Sequence, residues 1–282
     1  MTEHNLEDEL NESEKWLVDG LNELNRLIPE VITENYTIKS GVYDVDHDIR
    51  VENCKLTIEK GVTLNFGIDK KLYIGKVLYV GKGYDNTSQI NTSQIVTEGT
   101  KSAPVILQAK MMTWNGITIN NTKTDNILRY TYIRDGNKFG FDGGGIDIEN
   151  SLLSLEDCVI EKCEATHGGG IYNNRSSCVR MKNTIITENH ANWTGGGIET
   201  CYNSFLRMEN TTISKNHAEK YGGGMCNWES TVRMENTTIT ENHAKENSGG
   251  IYSYDSKILK YGKNTIENNT PDNIREDKIT KK

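Results

Sequence analysis

Three stretches of the chain nearly coincide: NHANWTGGGIET at 189–200, NHAEKYGGGMCN at 216–227 and NHAKENSGGIYS at 242–253. Aligned on the last glycine of each run, five copies fall at Gly145, Gly170, Gly197, Gly224 and Gly250, at intervals of 25, 27, 27 and 26 residues. A fixed period of this size points to a stacked array of like units. Within one period, GGIET, SFLRMEN and TTISKN each alternate in character, as Leu206 and Met208 do against Arg207 and Glu209. Alternation of period two is the signal of a strand. The leucines of a leucine-rich repeat and the helices of a TPR or ankyrin repeat are not visible.

The pattern therefore predicts an all-β right-handed parallel β-helix, with three strands and their turns in each rung of 25–27 residues. Roughly nine rungs are expected, with equivalent residues stacked at the strand spacing of about 4.8 Å. Stacking explains the repetition, because a side chain that fits inside one rung must fit its own copy above and below. Ile160, Ile186, Ile213, Ile239 and Ile266 are expected as one interior column, and Met181, Met208 and Met234 as another. Asn189, Asn216 and Asn242, with Asn268 beyond them, are expected to form an asparagine ladder at a turn. Asn183, Asn210, Asn236 and Asn264 form a second asparagine column. The repeated Asn-x-Thr reads as this ladder chemistry rather than as a glycosylation signal. Glycine is frequent at 26 residues and proline scarce at three, which suits short strands joined by tight turns.

The organisation expected is a helical cap at 1–33, the β-helix at 34–269 and a charged C-terminal tail or cap at 270–282. Leu6, Leu10, Leu17, Leu21, Leu24 and Leu27 carry helical spacing that Pro29 ends, and a solenoid needs its open end covered. The direct duplication NTSQINTSQI at 86–95 is expected to protrude as a loop or an extra strand pair. The formal net charge is −8 and the basic residues are dispersed, so no nucleic-acid partner is expected. No apolar run has the length of a membrane span. The N-terminus has no charged-then-apolar leader, which fits a chain that stays inside or one whose leader has been removed. Cys54, Cys158, Cys163, Cys178, Cys201 and Cys226 make no CxxC pair and read as reduced thiols.

The earlier segments LTIEKGVTLNFG, LYIGKVLYVG, APVIL and WNGI resemble the opening rungs of the pectate-lyase-like superfamily of right-handed β-helix proteins. The later GGGI…N-x-T-I units resemble the Gly-Gly-Ile repeats of polymorphic outer-membrane and adhesin-like proteins. The likeness covers roughly residues 34–269. It implies the fold, and in enzymes of that superfamily a site on the outer face of one stacked sheet. It implies no single function, since the superfamily hosts lyases, hydrolases, adhesins and phage spikes.

If the residue after each glycine run points inward, the outer set is Asp147, Glu149, Tyr172, Asn174, Glu199, Cys201, Cys226, Trp228, Tyr252 and Tyr254. Aromatic faces with nearby carboxylates suit sugar rings; the plainer reading is that such aromatics stabilise the sheet by stacking. Tyr172, Asn174, Trp228, Tyr252 and Tyr254 are the candidate ligand-binding residues. Asp147, Glu149 and Glu199 are the catalytic candidates if the chain is a lyase or glycoside hydrolase. The polygalacturonase-like NTD, GHG and RIK series is missing, as are a lyase-type arginine base and an epimerase-like YG-x-DPH. No cofactor and no metal are expected: DVDHD at 44–48 lacks the glycine and glutamate of a calcium loop. His190, His217 and His243 repeat with the rung and read as structural stacking. Arg180, Arg207 and Arg233 read as a solvated column relieved by cross-rung pairing with Glu209 and Glu235.

The sequence reading is thus a non-catalytic binding or structural protein, adhesin-like or phage-fibre-like, that presents a glycan or protein-partner face. The alternatives are a polysaccharide-acting enzyme and a purely architectural module. The oligomeric state and the compartment are left open.

Overall fold

The structure, a computed structural model, describes residues 27–75, 91–138 and 140–278. Residues 1–26 of the helical cap expected at 1–33 lie outside the described residues, as does the first copy of the NTSQI duplication; the rest of that span is not helical and holds the strand Val31–Ile32. The described chain is a parallel β-solenoid. Sheet 1 stacks ten strands, from Val31–Ile32 to Ile274–Asp277. Sheets 2 and 3 stack nine strands each, from Tyr36–Ile38 to Lys257–Tyr261 and from Gly41–Val45 to Thr265–Glu267. To these three strands per rung the structure adds a fourth short one. Sheet 4 comprises Asn137–Lys138, Glu164–His167, His190–Thr194, His217–Ala218 and His243–Ala244. No helix of the described residues is long and apolar enough to cross a membrane.

The strands stay in register because their interior positions interlock. Ile160, Ile186, Ile213 and Ile239 are fully buried and pair in sequence, with Ile266 at the less covered end. Met181, Met208 and Met234 stack in the same way. Each such side chain contributes roughly 1.5–3 kcal/mol of apolar burial. Sheet 1 buries Ile117, Ile146, Ile171, Ile198, Met225 and Ile251 in one column. Its second inward column changes character midway, from Ile119 and Ile148 to Asn173, Thr200, Asn227 and Ser253.

At the corner from sheet 3 to sheet 4 runs the asparagine ladder. The Asn189 backbone amide and side-chain amide both donate to Asn216 Oδ1, at 3.0 Å each. Asn216 repeats this onto Asn242 at 3.0 and 2.9 Å, and Asn242 onto Asn269 at 3.0 and 2.9 Å. Each side-chain amide also donates to a core-strand carbonyl, Asn216 to Ile186 at 3.0 Å for example. The fourth member is thus Asn269, where the sequence reading expected Asn268. Asn268 instead takes the left-handed conformation, φ 56°, that Glu188, Lys215 and Glu241 hold in the earlier rungs. The second asparagine column likewise holds for Asn183, Asn210 and Asn236, all left-handed, but Gly262 takes the fourth turn. That rung has one extra residue before its third strand, and Asn264 stands level with Thr237, whose backbone amide donates to Asn264 Oδ1.

Stacking extends beyond 34–269 at both ends: Val31–Ile32 pairs with Ile49–Val51, and Ile274–Asp277 pairs with Ile251–Tyr254. Asn273 closes the ladder by accepting from Asn269. The second NTSQI copy does not protrude. Ser93 and Ile95 are fully buried, and Gln94–Thr97 joins sheet 2. Arg207 and Arg233 pair with Glu209 and Glu235 of their own strands, at 3.7 and 3.4 Å, rather than across rungs.

Asn216→Ala would leave a buried amide and a buried carbonyl without partners, and is expected to cost about 2 kcal/mol or more in urea unfolding. Thr200→Val deletes a buried hydroxyl that has no partner among the described residues. Its stability is expected to stay within about 1 kcal/mol of the parent or to rise. The reverse ranking would contradict this account of the core.

Candidate functional site

Each glycine run turns the chain from sheet 4 into sheet 1. Gly143, Gly168, Gly195 and Gly222 hold φ between 59° and 68° there. A Cβ on Gly143 or Gly195 would sit 2.7 or 2.8 Å from the Cβ of Asp147 or Glu199. The middle glycine has a different reason: a Cβ on Gly196 would meet the carbonyls of His217 and Gly223 at 2.3 and 2.4 Å. With no Cβ in the way, the end of sheet 4 comes against the first outward residues of sheet 1, where His167 and Thr194 bond Glu199.

The result is a seam of two facing columns. One consists of Asp142, His167, Thr194 and Tyr221, each just before a glycine run, and Asn247, where Ser248 stands in place of the first glycine; the last four pair laterally. The other is the first outward column of sheet 1, Asp147, Tyr172, Glu199, Cys226 and Tyr252, in continuous register. The outward direction expected for these side chains holds: Cys226 and Tyr252 stand apart from the main core cluster, and Glu199 bonds His167 and Thr194 on the outer side. Their exposure does not follow: His167 and Thr194 bond Glu199, and Tyr252 stacks on Tyr221 and bonds Asp277. Glu199 is 8% exposed, Cys226 1% and Tyr252 7%; in the next column Asn174 is 8% and Cys201 2%. Trp228 is exposed, and Tyr172 and Tyr254 are half-buried.

The centre of the seam is His167. Its Nδ1 lies 2.7 Å from Thr194 Oγ1 and 3.1 Å from Glu199 Oε2, and the Thr194 hydroxyl donates to the same carboxylate oxygen. Burial works against a charged imidazole here. The hydrogen bond and charge of Glu199, with the charge of Asp142, outweigh it and hold His167 above its usual 6.5. Burial pushes the Asp142 carboxyl up, with His167 opposing and Glu199 and Asp147 reinforcing. Burial likewise pushes the Cys201 thiol up to about 12 and the Cys226 thiol well above its usual value, so neither is a nucleophile at neutral pH. The Tyr252 phenol is raised to about 12 by burial and by its hydrogen bond to Asp277.

The three candidate acids are each held by a partner. Asp147 pairs with buried Lys138 at 3.2 Å, Glu149 with Arg175, and Glu199 with Thr194 and His167. The structure therefore does not place them as a pair across one open cleft. What it does gather is a set of aromatic platforms. Trp228 stacks on Tyr254 with centroids 4.2 Å apart, Tyr221 on Tyr252 at 4.9 Å, and the Lys220 ammonium sits 3.6 Å above the Trp193 ring. Asp142, Thr194 and Tyr221 were not singled out by the sequence reading. The signal that finds them is positional: they precede the one feature every rung repeats. The histidine ladder on sheet 4 lies outside the seam; two of its members, His190 and His217, form with Glu219 the group with metal-ligand spacing among the described residues.

Residues 115–276, which is 162 of the 282 residues, match the family described as the right handed beta helix region. The chain belongs to this family. No curated protein and no solved structure matches it. Fold and family together define a structural or binding solenoid module.

His167 is expected to titrate above 6.5 in the native protein when followed by NMR. Since its folded value is raised, the stability it contributes is present in full below about 6.5 and is lost as pH rises through the higher folded value. Glu199→Gln removes the main partner and should bring the midpoint down. A native midpoint at or below 6.5 would contradict the seam geometry.

Proposed function

We propose that this chain is a non-catalytic binding solenoid that holds a glycan against the outward aromatic end of sheet 1. The observation that carries this reading is the stacked Trp228–Tyr254 pair, whose indole is 36% exposed. An aromatic face offers C–H stacking to a sugar ring, and polar groups at its rim accept and donate to hydroxyls. Tyr202, exposed on the adjoining turn, widens the platform. Its backbone amide bonds the Trp228 carbonyl, which ties the two rings to one corner. Of the other ligand-binding candidates, Tyr172 is half-buried beside this face, and Asn174 and Tyr252 are 8% and 7% exposed.

Binding is favoured over hydrolysis because Asp147, Glu149 and Glu199 are each engaged with a neighbour, and a glycosidase needs two carboxyl groups flanking an accessible bond. An adhesin-like or fibre-like role fits a rigid rod that displays one face, and a protein partner on the same platform is the competing occupant.

Native electrophoresis through gels that contain soluble polysaccharides tests this. Retardation by at least one polymer, without clearing of the stained gel, is the expected result. Trp228→Ala is expected to weaken it by about tenfold in Kd. A cleared zone would overturn the non-catalytic reading. Unchanged retardation of the variant would remove Trp228 from the site.

A further inference from the structure

The outer face of sheet 4 carries a second cluster, independent of the glycan reading. His190, His217 and His243 begin successive strands, and their rings stack with centroids 4.9 and 5.0 Å apart. Tandem repetition accounts for these three histidines. It does not account for the residue two places on, which shares their face. That column reads Asn192, Glu219, Lys245, so a carboxylate occurs there once, beside the middle histidine. Glu219 Oε1 lies 3.1 Å from His217 Nε2 and 3.8 Å from His190 Nε2. The three donor atoms all lie within 4.8 Å of one another. Lys245 engages the other carboxylate oxygen, Oε2, and leaves Oε1 to the imidazoles.

We propose that His190 Nε2, His217 Nε2 and Glu219 Oε1 form a binding site for a divalent transition metal of the zinc type, clipping two adjacent rungs together. A tetrahedral zinc with bonds of about 2.1 Å holds its donors about 3.4 Å apart, and the two distances to Glu219 bracket that value. The imidazoles must tilt toward each other from their stacked positions. They are free to do so, since the side chains of His190, His217 and Glu219 are 34%, 30% and 31% exposed. Two imidazoles and one carboxylate favour zinc, cobalt or nickel over calcium or magnesium, which prefer all-oxygen sites. The ligating imidazole must be neutral. Solvent completes the coordination, because the cluster faces outward.

The test uses the full chain without a histidine tag, dialysed against EDTA and then titrated with zinc chloride by calorimetry and with cobalt chloride by visible absorption. About one equivalent is expected, with Kd in the range of about 1–10 μM. The cobalt spectrum should show d–d bands without a thiolate charge-transfer band. Glu219→Gln, nearly isosteric and partly exposed, should weaken binding at least tenfold, and His217→Ala should abolish it. Saturating zinc should raise the melting temperature of the parent and not of Glu219→Gln. Three results would each overturn the proposal: no saturable binding below about 1 mM, equal affinity in parent and Glu219→Gln, or a thiolate band that places the metal on a cysteine.

Discussion

The bond on which the rest depends is the double donation of one asparagine to the next. Asn189, Asn216 and Asn242 each send a backbone amide and a side-chain amide to the same oxygen one rung on. A buried amide left unpaired costs as much as several favourable contacts return. The ladder is therefore satisfied only when successive rungs align residue for residue. A slip by one position would unpair it and turn every isoleucine of the neighbouring column outward. In-register stacking follows from this, and with it the aliphatic columns, the methionine column and the closely packed glycines whose missing Cβ atoms make room for adjacent carbonyls.

A rigid stack leaves few positions free to vary. The end of sheet 4 is one: Asp142, His167, Thr194, Tyr221 and Asn247 are chemically unlike one another. The residue two places beyond each ladder asparagine's neighbouring histidine is another: Asn192, Glu219 and Lys245. The seam and the proposed metal site arise at these two positions. Function in a repeat protein is most readable where the repeat is broken, since the kept residues serve the stack.

Much of the fold was legible because stacking makes register visible in the sequence. The isoleucine and methionine columns and three ladder asparagines follow from the period alone. What was not legible turns on single-residue insertions and on cover. Asn269 and not Asn268 carries the ladder because the last rung is one residue longer between its second and third strands; Gly262 takes the left-handed turn, and Asn264 lies level with Thr237. The outward set on sheet 1 was assigned by alternation, which gives direction but not exposure. Sheet 4, which reaches Glu199 through His167 and Thr194, has strands as short as two residues, and a run that short leaves no period to detect. The candidate site was therefore half visible: Trp228 and Tyr254 as surface aromatics, but not the histidine-centred seam beside them.

Native-state hydrogen exchange measures the central constraint most directly. The amides of Cys163, Asn189, Asn216 and Asn242 donate to ladder oxygens rather than to strand carbonyls. The account predicts that they exchange as slowly as the core strand amides of Ile186 and Ile213, through global unfolding only. Exchange as fast as that of the exposed turns would mean that the ladder opens locally, and that the stack is held by its apolar columns alone.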